Sequence, residues 1–204
     1  MKIGIFGGTF DPPHLGHIGA CQAFLDSVEL DFLYVMPAFI PPHKAVVSGT
    51  NANSRLDMAK IAFGNLSKKI IVSDLEYKRD KKSYTAHTLQ YFKENYDDVD
   101  IYFLCGTDMI LTMDSWYCPE YIFKNAKIVY ARRENCPEIT KQIDLKCKQY
   151  VKKFNAEILP LKLEVLEISS SEIRAAIEQN EDLTQFLSKE IIDYIKDNKL
   201  YLEN

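Results

Sequence analysis

Lys2-Ile3-Gly4-Ile5-Phe6-Gly7-Gly8-Thr9-Phe10-Asp11-Pro12-Pro13-His14-Leu15-Gly16-His17 decides how the rest of the chain is read. Lys2–Phe6 is a continuous apolar run and reads as a buried strand. Gly7 and Gly8 at its end permit a tight turn and close backbone approach to a ligand. Pro12 and Pro13 hold the following loop extended. Leu15–Val28 then places Ile18, Cys21, Leu25 and Val28 at helical spacing. The loop is neither a Walker pattern nor Gly-x-Gly-x-x-Gly, because its spacing fits neither.

The same alternation continues along the chain. Phe32–Met36, Ile70–Ser73, Ile101–Cys105, Ile128–Ala131 and Leu163–Ile168 read as further strands. Ser54–Phe63, Thr85–Tyr96, Ile139–Phe154, Ser170–Gln179 and Lys189–Asn198 read as helices. Strands made of unbroken apolar runs are covered on both faces. Alternation with helices therefore predicts an α/β fold with a doubly wound, mainly parallel sheet and right-handed crossovers. The 204 residues fit a single domain, 1–204, with the helices from about residue 170 to 204 packed on the sheet. In such sheets ligands bind beyond the carboxyl ends of the strands, so chemistry belongs in the residues that follow each one.

Composition narrows the function. Asp and Glu number 29 against 25 Lys and Arg, so the net charge is −4. A general nucleic-acid binder needs a basic surface, and this balance does not supply one. Any anionic ligand must be held by a local arrangement. No apolar run reaches the roughly 18–20 residues that span a bilayer. The first apolar stretch breaks at glycine, well short of the roughly 7–15 residues of a signal-peptide core. The 5 cysteines are odd in number and form no Cys-x-x-Cys pair, which predicts reduced thiols in a cytoplasm. A homo-oligomer is neither required nor excluded.

His14 and His17 stand three apart at the start of the first helix, where backbone N–H groups and the helix dipole favour an anion. A metal site from His14, His17 and Cys21 would share one helical face. It lacks a fourth ligand, and Cys21 continues the apolar stripe, so no resident metal is expected. A second anion site is predicted at Ser169-Ser170-Ser171-Glu172-Ile173-Arg174. Ser169 with Glu172 forms a capping-box pattern, so a helix begins there. Serine hydroxyls, unpaired N–H groups and the Arg174 guanidinium suit phosphate. The Glu172 carboxylate would stand near that phosphate and is expected to turn aside when a nucleotide binds.

At these two segments the chain resembles the nucleotidyltransferases. Gly7–His17 is similar to their signature Gly-Gly-Ser/Thr-Phe-Asp-Pro-x-His-x-Gly-His, and Ile168–Arg174 to Ile-Ser-Ser-Thr-x-Ile-Arg, with Ser171 in place of threonine. Within that superfamily the middle of the chain resembles the nicotinate-nucleotide adenylyltransferases. Pro37-Ala38-Phe39-Ile40-Pro41-Pro42-His43-Lys44 is similar to their Pro-x-x-x-Pro-Pro-His-Lys. Ser83-Tyr84-Thr85-Ala86-His87-Thr88-Leu89 is similar to Ser-Tyr-Thr-x-x-Thr-Leu, Gly106-Thr107-Asp108 to Gly-x-Asp, and Trp116-Tyr117 to Trp-Tyr. The family arginine after the fifth strand falls on Arg132 or Arg133, where the usual Pro-Gly is replaced by Glu134-Asn135.

The resemblance implies a Rossmann-like fold and transfer of the adenylyl group of ATP to nicotinate mononucleotide, with magnesium carried on the phosphates. It implies that His14, His17, Lys44 and Arg174 serve catalysis. Gly7, Gly8, Thr9, Phe10, Gly106, Asp108, Ser169 and Ser170 would bind ATP. Thr85, Trp116, Tyr117 and Arg132 would bind the mononucleotide. Phosphopantetheine adenylyltransferase shares both signatures but tends to be shorter and lacks the Ser-Tyr-Thr and Trp-Tyr segments. A cytidylyltransferase is a weaker alternative. A non-catalytic nucleotide sensor on the same scaffold would not need charges aimed at a leaving group.

Overall fold

The computed structural model describes residues 1–42, 49–79, 81–131, 136–161 and 168–202. Its elements run β1 (Lys2–Gly8), α1 (Leu15–Ser27), β2 (Phe32–Pro37), α2 (Ala52–Phe63), β3 (Ile70–Val72), α3 (Leu75–Lys78), α4 (Thr85–Asn95) and β4 (Asp100–Gly106). They continue with α5 (Thr107–Thr112), α6 (Pro119–Asn125), β5 (Lys127–Ala131), α7 (Pro137–Phe154), β6 (Ile158–Leu161), α8 (Ser170–Glu178) and α9 (Lys189–Asp197). The six strands form one sheet in the order β3-β2-β1-β4-β5-β6, with every pairing parallel. The direction of winding reverses between β1 and β4, and a crevice opens where the crossovers part.

Period-two alternation divides the strand residues between two cores. Phe6, Leu33, Val35, Leu104 and Val129 face one layer, which contains residues of α1, α2, α8 and α9. Ile3, Ile5, Ile101, Phe103 and Ile128 face the other, built from α4, α5, α6 and α7. Each fully buried Ile, Leu or Phe contributes about 1.5–3 kcal/mol. The C-terminal helices close the first layer through Ile173, Ile177, Ile191 and Ile195.

Two features differ from what the apolar runs announce. Ile158–Leu161 is a strand, paired with Ile128–Ala131. The expected strand Leu163–Ile168 lies outside the described residues apart from Ile168, which is not in a strand. Pro160 lowers the strand signal of 158–161. An edge strand tolerates it, because one side of the ladder needs no donor. The short α3, α5 and α6 were not anticipated, since four to seven residues hold too little periodicity. α7 packs on α5 and α6. Tyr150 donates to the Ile110 carbonyl at 2.9 Å, and Phe123 stacks on Phe154 with centroids 4.8 Å apart.

Candidate active site

A cleft of about 400 Å³ opens at the carboxyl ends of β1 and β4. Its walls include Gly7, Gly8, Thr9, Phe10 and His17 from the first signature, and Ser169, Ser170 and Arg174 from the second. Gly106 and Asp108 line it after β4, and Thr85, Trp116 and Tyr117 line its other end. Segments separated by most of the chain thus meet at the winding reversal. Lys44, Arg132 and Arg133 lie outside the described residues.

The glycines act differently from expectation. Gly7 and Gly8 belong to β1 and pair with Met36 and Pro37. The left-handed residue is Phe10, with φ 51°. Its ring folds back, so a Cβ on Gly8 would lie 2.8 Å from it. The Phe10 ring is 1% exposed and meets Phe6, Phe63 and His17 edge-on at 5.1–5.3 Å. Gly8 therefore makes room for a buried ring that props the loop from below.

His14 is the N-cap residue of α1, and its backbone N–H donates to His17 Nδ1 at 3.3 Å. That bond assigns the remaining proton of a neutral His17 to Nε2. The two rings lie 3.7 Å apart, tilted by 34°. His17 lines the cleft, whereas His14 is 2% exposed and sits behind it. Cys21 is fully buried in the core, where burial pushes its thiol up to about 12.

The second signature forms its capping box. Ser169 Oγ accepts from the Glu172 N–H at 3.2 Å, and the Ser169 N–H donates to Glu172 Oε2 at 2.8 Å. Glu172 is not among the residues that line the cleft. Ser170 Oγ donates to the Pro12 carbonyl at 2.9 Å, and Arg174 Nη1 donates to the Asp11 carbonyl at 2.7 Å. Each signature therefore fixes the other. From the opposite side Arg55, fully buried, donates to the carbonyls of Thr9, Ala38 and Phe39. It ties the loop after β1 to the loop after β2.

Sequence reasoning missed Glu76, Tyr84 and Asp11, all of which line the cleft. Tyr84, His87 and Tyr117 form an aromatic cluster at its mouth, with Tyr84 and Tyr117 centroids 4.8 Å apart. Glu76 is 7% exposed and accepts from Thr88 Oγ1 at 2.9 Å. Burial pushes its carboxyl up, against the opposing pull of hydrogen bonds from Ser83 and Thr88 and of the Arg79 charge. The folded protein thus holds this proton more tightly than the unfolded chain does. Stability linked to Glu76 is fully present below the usual value of 4.5 and is lost as pH rises through the raised one. Glu76→Gln does not titrate there. Its melting temperature should gain on that of the parent as pH rises above 4.5. A difference that stays flat over that range would show that burial does not govern this carboxyl.

The comparisons with known proteins agree with this geometry. The model of the family described as cytidylyltransferase-like matches residues 5–176. A Clostridium tetani protein named "Probable nicotinate-nucleotide adenylyltransferase" is 34% identical over 98% of this chain and 98% of its own length. One of the same name from Shewanella frigidimarina is 33% identical over 98% of this chain and 100% of its own. Among solved structures, Plasmodium falciparum nicotinic acid mononucleotide adenylyltransferase complexed with NaAD superposes with a TM-score of 0.75 at 24% identity, covering 98% of this chain and 97% of that one. At that identity the structure speaks for the fold, whereas the two relatives speak for the family. The chain belongs to the cytidylyltransferase-like family and, within it, to the nicotinate-nucleotide adenylyltransferases.

Proposed function

We propose that the protein joins nicotinate mononucleotide to the adenylyl group of ATP, giving deamido-NAD and pyrophosphate. The observation that carries this is one continuous cleft that links the two signatures to the Ser83–Thr85 and Trp116–Tyr117 segments. A phosphopantetheine adenylyltransferase would share the first half and not the second.

The attacking mononucleotide phosphate is ionised at neutral pH, so no general base is required. Both substrates are polyanions. Catalysis therefore consists of alignment and charge neutralisation. The backbone at Gly8, Thr9 and Phe10 holds the bridging phosphate region, with Gly7 beneath it. His17, with the His14 ring tilted against it, donates to the phosphates around the reacting phosphorus. Arg174, Ser170 and Lys44 take the departing β and γ phosphates, and Ser169 fixes the helix that carries the first two. Asp108 accepts from a ribose beside Gly106. Thr85, Trp116, Tyr117 and Arg132 hold the nicotinate end.

Among the described residues no group of three His, Cys, Asp or Glu could hold a metal. Magnesium would be carried by the nucleotide phosphates and water, and would supply positive charge against the departing pyrophosphate. We further propose one functional domain in a cytoplasmic setting. All five cysteines are free, and no described helix is long and apolar enough to cross a membrane.

The test is an assay with ATP, magnesium and either nicotinate mononucleotide or phosphopantetheine, read by product mass. The deamido-NAD mass is expected from the first acceptor alone, abolished by EDTA and restored by added magnesium. Product from phosphopantetheine, or ATP binding with no product from either acceptor, would overturn the reading.

A further inference from the structure

The C-terminal segment reaches a cleft-lining residue, Asp11, through Tyr201, which none of the sequence motifs includes. Its hydroxyl donates to Asp11 Oδ1 at 2.8 Å, and Thr50 Oγ1 donates to the same oxygen at 2.8 Å. The Tyr201 N–H also reaches the Gly49 carbonyl at 3.3 Å. Gly49 has φ +102°, and a Cβ there would stand 3.1 Å from Tyr201 Cα, so only glycine admits this close approach. Tyr201 itself has φ 61° and is 3% exposed. An aromatic residue seldom keeps a left-handed backbone unless its surroundings impose it.

Asp11 has two ends with opposite partners. Its carbonyl accepts from Arg174, while its carboxylate, 4% exposed, accepts from the two hydroxyls. We propose that Tyr201 is a positioning residue for nucleotide binding: with Thr50, it holds the Asp11 carboxylate away from the Arg174 guanidinium and so leaves that charge for phosphate. Released from its hydroxyls, the buried carboxylate would be able to turn toward the guanidinium that already donates to its own residue's carbonyl at 2.7 Å. Attraction between such charges is strong there, and the pair would compete with the polyphosphate. Burial and the adjoining carboxylate both push the Tyr201 hydroxyl far up, so it remains a donor across the working pH range.

This inference rests on the assignment of Arg174 to the nucleotide phosphates. The test therefore reads ATP binding without an acceptor as well as turnover. Calorimetry with magnesium and ATP on the full chain compares the parent, Tyr201→Phe and Thr50→Val. Both variants should weaken ATP binding about tenfold, as for one lost buried hydrogen bond. The KM for nicotinate mononucleotide should change by less than about twofold. Adding Asp11→Asn to Tyr201→Phe should restore most of the ATP affinity, because a neutral amide does not compete for Arg174. A Tyr201→Phe variant that melts earlier yet binds ATP as the parent does would show a purely structural role. Equal losses for both substrates, or no recovery with Asp11→Asn, would overturn the competition. Should Tyr201→Phe fail to fold, Thr50→Val decides the same question from the other donor. A parent that binds ATP but yields no deamido-NAD would refute the proposed activity and leave the binding comparison intact.

Discussion

His17→Ala should lower kcat by about 10²–10³-fold while the affinity for ATP changes far less. Removal of one donor aimed at developing charge typically costs that much, about 2.7–4 kcal/mol. The geometry supports such a role. His17 Nδ1 is taken by the His14 N–H, so the ring is fixed and its other nitrogen becomes the donor. The ring is also gripped by Phe10, 5.1 Å away and nearly perpendicular. A preoriented donor loses little entropy when the transition state forms, so its effect belongs in turnover and not in ground-state binding. The measurement is kcat beside a direct ATP dissociation constant. Parallel loss of both would mean that the ring serves ground-state binding, and a lowered melting temperature with unchanged kcat would mean that it only packs.

The second large effect is a preference for the acid mononucleotide over the amide. α4 starts at Thr85, and no side chain caps its N-terminus at Tyr84. The Tyr84 carbonyl takes the His87 N–H at 3.0 Å, so the donors left to a ligand are the N–H groups of Thr85 and Ala86, at the positive end of the helix dipole. Tyr84 and Thr85 line the cleft there. A carboxylate accepts from two such donors, whereas an amide presents a donor of its own to one of them. An unmade buried hydrogen bond costs about 1–3 kcal/mol. Discrimination of about 10–100-fold or more in kcat/KM should follow. Trp116, braced edge-on by Phe103 at 6.2 Å, lines the cleft, and in the proposed reading it stacks on the ring that both substrates share. Trp116→Ala should therefore weaken both by similar factors, by analogy with the 1–3 kcal/mol of base stacking on aromatics. Equal use of both substrates by the parent would sink the helix-end account. Selective loss of the acid in the variant would mean that Trp116 orients the carboxylate site.

Several features were legible because their causes are local or periodic. The apolar runs of β1, β2, β4 and β5 read as buried strands, and the sheet is parallel. Ser169 and Glu172 sit three apart, so their reciprocal cap closes within one turn, whatever the rest of the fold does. The same locality explains the misses. Ile158–Leu161 contains a proline, and only pairing with β5 makes it a strand. α3, α5 and α6 are too short to persist as isolated helices, and tertiary packing holds them.

The sequence by itself determined the α/β class, the position of the two signature turns and the residue types that fill them. Those follow from backbone hydrogen bonds over three or four residues and from the period of apolar side chains. Only the tertiary structure decided that His17 and not His14 lines the cleft, that Glu76 lines it too, and that Asp11 is held by Thr50 and Tyr201, 39 and 190 positions away. The strand order β3-β2-β1-β4-β5-β6 brings those residues together. A contact across such a separation has no local periodicity to announce it, because loop closure depends on where both ends are packed and not on what lies between them.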